Sequence, residues 1–351
     1  MNSRMPLIDA LKGLAAQLIV IHHLASYGPL AEAMNRLMPA ITLWIFEYGR
    51  MAVQVFLVVA GFLAARGLAP NSVPTFGNPL PLVWARYVRL VRPFMMAMLL
   101  AIAGAAIARL WMQNEAIPNP PGLWQFIAHG LLLHGLFDVP SLSVGVWYVA
   151  IDFQLYAVFL ILLWMAGRVE SPAGKLFGSV TLVAAMASAS LFFFNLNDEL
   201  DAWGIYFFGS YALGVMGYWA ADSKRPRTWL VLLVAVGLAA LLVDFRLRIA
   251  LALATALLLG VSRVSGLLGR WPDSAVLGYL GRISYSVFLV HFPVCLIVNA
   301  IFERFTDGND FAAYTAVLLA WSASTLAGGI FYRFVESRRQ WWPVAGRPAK
   351  V

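Results

Sequence analysis

Residues 12–28 read KGLAAQLIVIHHLASYG, an apolar run interrupted by Lys12 and by the pair His22 and His23. The run has the length and character of a membrane-spanning helix. Lys12 and His23 are eleven positions apart, so a continuous helix at 1.5 Å per residue carries the imidazole about 16 Å deeper than the ammonium, near mid-bilayer. Ionisable side chains are costly at that depth and face a cavity or a substrate path. Because histidine takes up and returns a proton near neutral pH, the spacing points to a reaction ahead of simple transport.

Composition sets the class. The 351 residues are 61% hydrophobic and 12% charged, with mean hydropathy +0.77, far too apolar for a soluble domain of this size. The chain is expected to be all-α and polytopic. Its net charge of +8 does not call for a nucleic-acid partner, because membrane proteins gather Lys and Arg on their cytoplasmic loops. The one cysteine, Cys295, rules out an intramolecular disulfide. Asp9, Lys12 and the histidines argue against a cleaved signal peptide, so an uncleaved first helix is expected. No fixed repeat or long hydrophilic stretch divides the chain, which reads as one membrane domain, 1–340, with a short cytoplasmic tail, 341–351.

Hydropathy places spans near 8–27, 50–67, 90–112, 145–166, 176–194, 203–220, 227–243, 247–264, 279–301 and 311–335. With about ten spans and cytoplasmic termini, the inner loops collect most of the arginines and lysines and the outer loops most of the acids. Arg36, Arg109, Arg246, Arg248 and Arg304 are the exceptions. Counting WQFIAHGLLLHGLF (124–137) as another span would turn every later loop inside out, so 122–137 reads as a partial helix on the outer side. His129 and His134, five apart on it, do not share one helical face, and no zinc site is expected. At the entrance to the third span, RYVRLVRPF sets Arg86, Arg89 and Arg92 at three-residue spacing, roughly on one face. Guanidinium forks match phosphate oxygens, which suits a phosphorylated cytosolic donor; the alternative is arginines reaching anionic lipid headgroups.

Six segments, in order from residue 8 to 338, resemble the acyltransferase-3 family of integral-membrane O-acyltransferases. IDALKGLAAQLIVIHH (8–23) is similar to the Leu-Asp-x-Leu-Arg-Gly-x-Ala start and its basic-x10-His pair, with Lys12 in the arginine place and His23 in the histidine place. AVQVFLVVAGFLAAR (52–66) resembles the second-helix run, with Ala60 for the usual serine. RYVRLVRPF (86–94) resembles the third-helix Arg-x-x-Arg-Leu segment, and VWYVAIDFQLY (146–156) the Trp-Tyr-x-x-x-Glu-x-Gln-x-Tyr segment, with Asp152 at the acidic place. GRISYSVFLVHFPV (281–294) and FYRFVES (331–337) resemble the last two, Arg338 standing where the family has proline. The resemblance implies a ten-helix bundle in the inner membrane of a bacterium, in a stand-alone form without a C-terminal periplasmic domain. It also implies a cytosolic acyl-CoA donor, acetyl-CoA foremost, and a glycan or other hydroxyl acceptor approached from the other side.

The chemistry stands beside the resemblance. Acyl transfer from a thioester to a hydroxyl needs a base, stabilisation of the developing oxyanion, and exclusion of water. His23 is the candidate base and Lys12 its companion in the catalytic pair. Arg86, Arg89 and Arg92 are the candidate donor-binding residues, with Tyr285 and His291 as further lining of the donor cavity or, for His291, a satisfied core histidine. Arg50, Trp147, Asp152 and Gln154 are candidate acceptor contacts, with lipid binding open for Arg50 and a structural ion pair for Asp152. His22 points about 100° away from His23 and reads as packing. A transporter or flippase for a glycan or lipid-linked substrate is the rival reading, since it too would bury His, Asp and Arg. The partners are membrane lipid and the hydroxyl acceptor; the oligomeric state stays open.

Overall fold

The structure, a computed structural model, describes residues 5–306 and 308–338, and their regular secondary structure is entirely helical. The expected tail, 341–351, lies outside them. In chain order the α-helices are α1 (Pro6–Leu24), α2 (Pro29–Leu37), α3 (Pro39–Tyr48), α4 (Val53–Leu68), α5 (Leu80–Ala108), α6 (Leu123–Gly130), α7 (Trp147–Gly167), α8 (Pro172–Phe192), α9 (Gly204–Asp222), α10 (Pro226–Val243), α11 (Leu247–Val264), α12 (Leu267–Arg270), α13 (Ala275–Phe305) and α14 (Asp310–Phe331). Among the described residues nine helical stretches are long and apolar enough to cross a membrane. The expected span at 203–220 is α9, which is not one of the nine. Its sequence, GIYFFGSYALGVMGYWAAD, carries Gly, Ser and Tyr where lipid-facing helices carry aliphatics, and nearly all of it is buried by other helices. A helix enclosed by protein has no need of an apolar surface for lipid. α6 is eight residues, about 12 Å, too short to cross a hydrocarbon core of about 30 Å.

Cα packing sorts the chain into two units: Met1–Leu11, Val53–Tyr87 and Ala150–Ala275 form the first, and Lys12–Ala52, Val88–Val149 and Val276–Val351 the second. In the first unit α4, α8, α10 and α11 surround α9. The approach of α4 to α9 is set by two glycines. A Cβ at Gly61 would lie 2.0 Å from the Tyr211 carbonyl oxygen, and one at Gly214 2.0 Å from that of Val58. Only hydrogen at both positions lets the backbones meet, the device by which membrane helices gain dispersion energy without a hydrophobic drive. Ser210 Oγ donates to Gln54 Oε1 at 2.7 Å across the same interface. Arg246 and Arg248, exceptions to the charge pattern, are structural. Arg246, 7% exposed, donates to the Leu191 and Ala240 carbonyls at 2.9 and 3.2 Å and to Asn195 Oδ1 at 2.8 Å. It thereby binds the C-terminal turns of α8 and α10, whose carbonyl ends attract cations.

In the second unit α13 is the common neighbour. Gly13 of α1 meets Leu280, Gly104 of α5 meets Pro293, and Gly328 of α14 meets Val287, each too closely for a Cβ. Val20, Leu24, Leu30, Met34, Ile283, Val287, Cys295 and Ala320 join α1, α2, α13 and α14 in one apolar core. α1 stops at Leu24, earlier than the expected 27, because Gly28 takes φ 81° and starts α2. Asn299 of α13 clamps this turn, its Oδ1 accepting the Leu30 N–H at 2.9 Å. α5 begins at Leu80 and runs through Pro93, so Arg86, Arg89 and Arg92 belong to the helix itself rather than to the loop before residue 90.

Gly214→Ala is expected to destabilise the protein by about 1–3 kcal/mol, the usual cost of overpacking a well-filled interface. Gly67→Ala, where a Cβ would meet nothing within 4 Å, is the matched control. Thermal unfolding in detergent checks this; equal midpoints for the two variants would contradict it.

Candidate active site

His23 and His291 form the centre of the second unit. His23 is the penultimate residue of α1 and 8% exposed; His291 lies within α13 and is 0% exposed. Nδ1 of His23 stands 2.7 Å from Nε2 of His291, and the rings are 6° from parallel. The other nitrogen of His291 faces its own helix, 3.1 Å from the Val287 carbonyl and 2.8 Å from that of Phe288. Pro293 sits two residues on and packs against Gly104 of α5, fixing α13 at this level. Both nitrogens of His291 are therefore engaged and its ring is closed to solvent.

Neighbours confine His23 on the remaining sides. The rings of His22 and Tyr27 lie 5.1 and 5.8 Å away. Gly145, with φ 75°, closes over the ring: a Cβ there would sit 3.5 Å from His23 Cε1 and 3.2 Å from Phe288 Cζ. Gly145 opens the turn into α7, where Tyr148 packs edge-on against Phe288 at 5.5 Å. Among the described residues none hydrogen-bonds Nε2 of His23, so this atom is available to a ligand. His22 is turned elsewhere, its Nδ1–H donating to the Ile45 carbonyl at 3.1 Å and tying α1 to α3. Lys12, half-buried, lies eleven residues before His23 on an unbroken helix. Eleven steps of 100° return to within about 20° of the same face, so the two side chains share one stripe of α1 about 16 Å apart.

The other expected site residues separate into groups. Tyr285 donates its hydroxyl to the Leu90 carbonyl at 3.1 Å, joining α13 to α5. Arg50 is exposed in the 3₁₀ turn Gly49–Ala52, and Trp147 is 38% exposed at the start of α7. In the first unit Asp152, 4% exposed, is paired at 2.6 Å with Arg86, whose guanidinium also lies 5.1 Å from the centre of the Tyr156 ring. Gln154 spends its amide on the N-terminal end of α9, accepting the Gly204 N–H at 2.7 Å and donating to the Ala202 carbonyl at 3.3 Å. Arg89 and Arg92 are exposed on α5.

His129 and His134 meet face to face, their centroids 4.2 Å apart, contrary to the expectation that they diverge. The helix ends at Gly130 and Leu132 takes φ 58°, so the chain folds back instead of continuing the helical phase. His129 is bonded at both nitrogens, to the Gln125 carbonyl and the Leu142 N–H; His134 is 1% exposed with neither nitrogen bonded. Burial, and after it the neighbouring His129, push the His134 pKa down to about 4, so it is neutral at physiological pH. Among the described residues no third His, Cys, Asp or Glu completes a metal-binding group.

Comparison with known proteins decides the family. The acyltransferase-3 profile, described as an acyltransferase domain, matches residues 6–343. The chain belongs to the acyltransferase-3 family. The family's acyltransferase domain thus covers nearly the whole chain, whose long apolar helices suit a multi-pass membrane protein. A protein of Caenorhabditis elegans called regulator of hypoxia-inducible factor 1 is 24% identical over 196 residues, which are 53% of this chain and 39% of that protein. The chain thus spans well under half the length of that relative. No solved structure matches. Of the residues around His23, the sequence had not singled out Gly145, Tyr27 or Phe288; a glycine just ahead of the WYVAIDFQLY helix was the available signal for the first.

Gly145→Ala is expected to lower turnover about tenfold and stability by about 1–2 kcal/mol, since an alanine is strained at positive φ and its methyl would press on the His23 and Phe288 rings. Steady-state assays beside thermal unfolding check this; wild-type turnover would show that the turn does not confine the histidine.

Proposed function

We propose that this enzyme moves an acyl group, acetyl foremost, from cytosolic acyl-CoA to a hydroxyl of a cell-envelope or exported glycan, with His23 as general base. The observation that carries the reading is a buried histidine, in an acyltransferase, with one nitrogen held by a second buried histidine and the other open. In the step, Nε2 of His23 takes the acceptor O–H proton while the oxygen attacks the thioester carbonyl. The C–S bond then breaks, and the proton passes from the imidazolium to the departing thiolate, leaving an ester and free thiol. A base of this kind contributes about 10²–10⁴-fold.

Donor binding falls to the arginine helix. Arg86 already faces Asp152 at 2.6 Å, so its charge is largely matched within the protein. Arg89 and Arg92 are both exposed on α5 and suit the donor's phosphates by their guanidinium geometry, with Lys12 on the His23 stripe of α1. Arg50 and Trp147, on exposed turns, suit the acceptor. Asp152 and Gln154 are committed within the first unit, to Arg86 and to the start of α9, and serve there as structural supports. In this reading the termini and donor are cytoplasmic, the acceptor arrives from the opposite face of a bacterial inner membrane, and the pantetheine arm carries the thioester inward without the nucleotide crossing.

The test is thiol release by purified protein given acetyl-CoA with and without a hydroxyl acceptor. Acceptor-dependent release is expected from wild type. His23→Ala should lose at least about 10²-fold, whereas His22→Ala, which removes only the tie to Ile45, should retain measurable activity. Undiminished turnover by folded His23→Ala would reject the assignment, and donor binding without turnover in the wild type would favour a transporter.

A further inference from the structure

The direction of the hydrogen bond between the two histidines follows from groups that have no choice. A backbone carbonyl can only accept, so the Nδ1 of His291, facing the Val287 and Phe288 carbonyls at 3.1 and 2.8 Å, must carry a proton. A neutral imidazole has one N–H, and a ring that is 0% exposed is poorly placed to hold an unpaired charge. Nε2 of His291 is then a lone pair. Among the described residues its hydrogen-bond partner is Nδ1 of His23, 2.7 Å away, which must supply the hydrogen. By the same one-proton rule the lone pair of His23 falls on Nε2, the nitrogen to which no described residue bonds.

We infer that His291 is a positioning residue for the acyl transfer, one that holds His23 in the single tautomer whose open Nε2 can accept the acceptor's proton. It rests on the reading of His23 as base and extends it to a second residue, 268 positions away, and to one atom. The role is that of a hydrogen-bond acceptor behind a catalytic imidazole, which selects the tautomer and supports the cation formed during turnover. A neutral histidine fills it here in place of a carboxylate. No net charge is placed behind the base, so the pair adds no uncompensated ion to the apolar interior before the reaction begins. Backbone carbonyls of α13 orient the outer ring, and Pro293 against Gly104 holds that turn in place. Its commitment to this chain of bonds leaves His291 no free atom for the donor.

Two measurements test it. The first is the ¹⁵N spectrum of histidine-labelled wild-type protein in nanodiscs at neutral pH, assigned by comparison with His23→Ala and His291→Gln. The expected signature is a protonated Nδ1 and an unprotonated Nε2 for His23; a protonated Nε2 on His23 overturns the inference, whatever the enzyme's activity. The second is kinetic. His291→Leu, which removes the acceptor, should lower kcat about 10²-fold or more while leaving the donor KM within about twofold. His291→Gln, whose amide oxygen can still accept from Nδ1–H, should recover most of that loss. Wild-type kcat in the leucine variant, or equal losses in folded leucine and glutamine variants, would overturn the positioning role. Should the leucine variant not fold, the wild-type spectrum decides. Because that spectrum needs no substrate, its failure is distinct from a failure of the acyl-transfer reading, which the His23→Ala assay reports.

Discussion

In a hydrocarbon environment a polar group has only the protein to bond to, and this constraint organises many of the buried polar side chains among the described residues. Arg246 binds the ends of α8 and α10; Gln154 binds the start of α9; Asp152 takes Arg86; Gln17 accepts from Trp321 and Thr325. His291 exhausts its own capacity on two carbonyls and one histidine. Among the described residues, buried side-chain atoms without a hydrogen-bond partner include Thr42 Oγ1 and Ser179 Oγ. His134 and the Tyr211 hydroxyl are buried without partners and are carried at a cost. Nε2 of His23 differs: no described residue hydrogen-bonds it, and Gly145 and the Tyr27 ring lie beside the imidazole.

Glycine acts as the second organiser. Where Gly61 and Gly214 bring α4 against α9, or Gly13, Gly104 and Gly328 bring α1, α5 and α14 against α13, backbones come close enough for dispersion to hold helices that gain nothing from leaving lipid. Within the second unit this has a direct bearing on chemistry. The 2.7 Å bond between His23 and His291 joins α1 to α13, and Gly13 sets the approach of those same two helices. The histidine pair is thus held between two helices that a glycine brings into close backbone approach.

Much of the helical layout was legible in the sequence, because hydropathy and loop charge act locally. α10 and α11 fall within a residue of their expected bounds, and the short α6 emerges where loop charge refused another crossing. α9 was legible as a helix, but its enclosure by four others was not, since its Gly and Tyr content records neighbours that the sequence does not name. The site followed the same division. His23 and the arginine helix stood out by spacing within one segment, whereas the pairs His23–His291 and Arg86–Asp152 depend on residues 268 and 66 positions apart. Arg246 and Arg248 looked like exceptions to a topological rule because a cation bound at a helix end and a loop charge are indistinguishable until the chain is folded. His129 and His134 were misjudged because a helical phase was extended past Gly130, where the helix ends.

The central claim is that the open nitrogen of His23 is where the acyl donor and the hydroxyl meet. Its most direct test is an experimental structure of the protein with a non-hydrolysable thioether analogue of acetyl-CoA. The expected result places the acyl carbonyl beside Nε2 of His23, with room for one hydroxyl oxygen between them, and the phosphates at Arg89 and Arg92. An analogue seated with its carbonyl out of reach of His23, for instance at the Arg86–Asp152 pair, would contradict it.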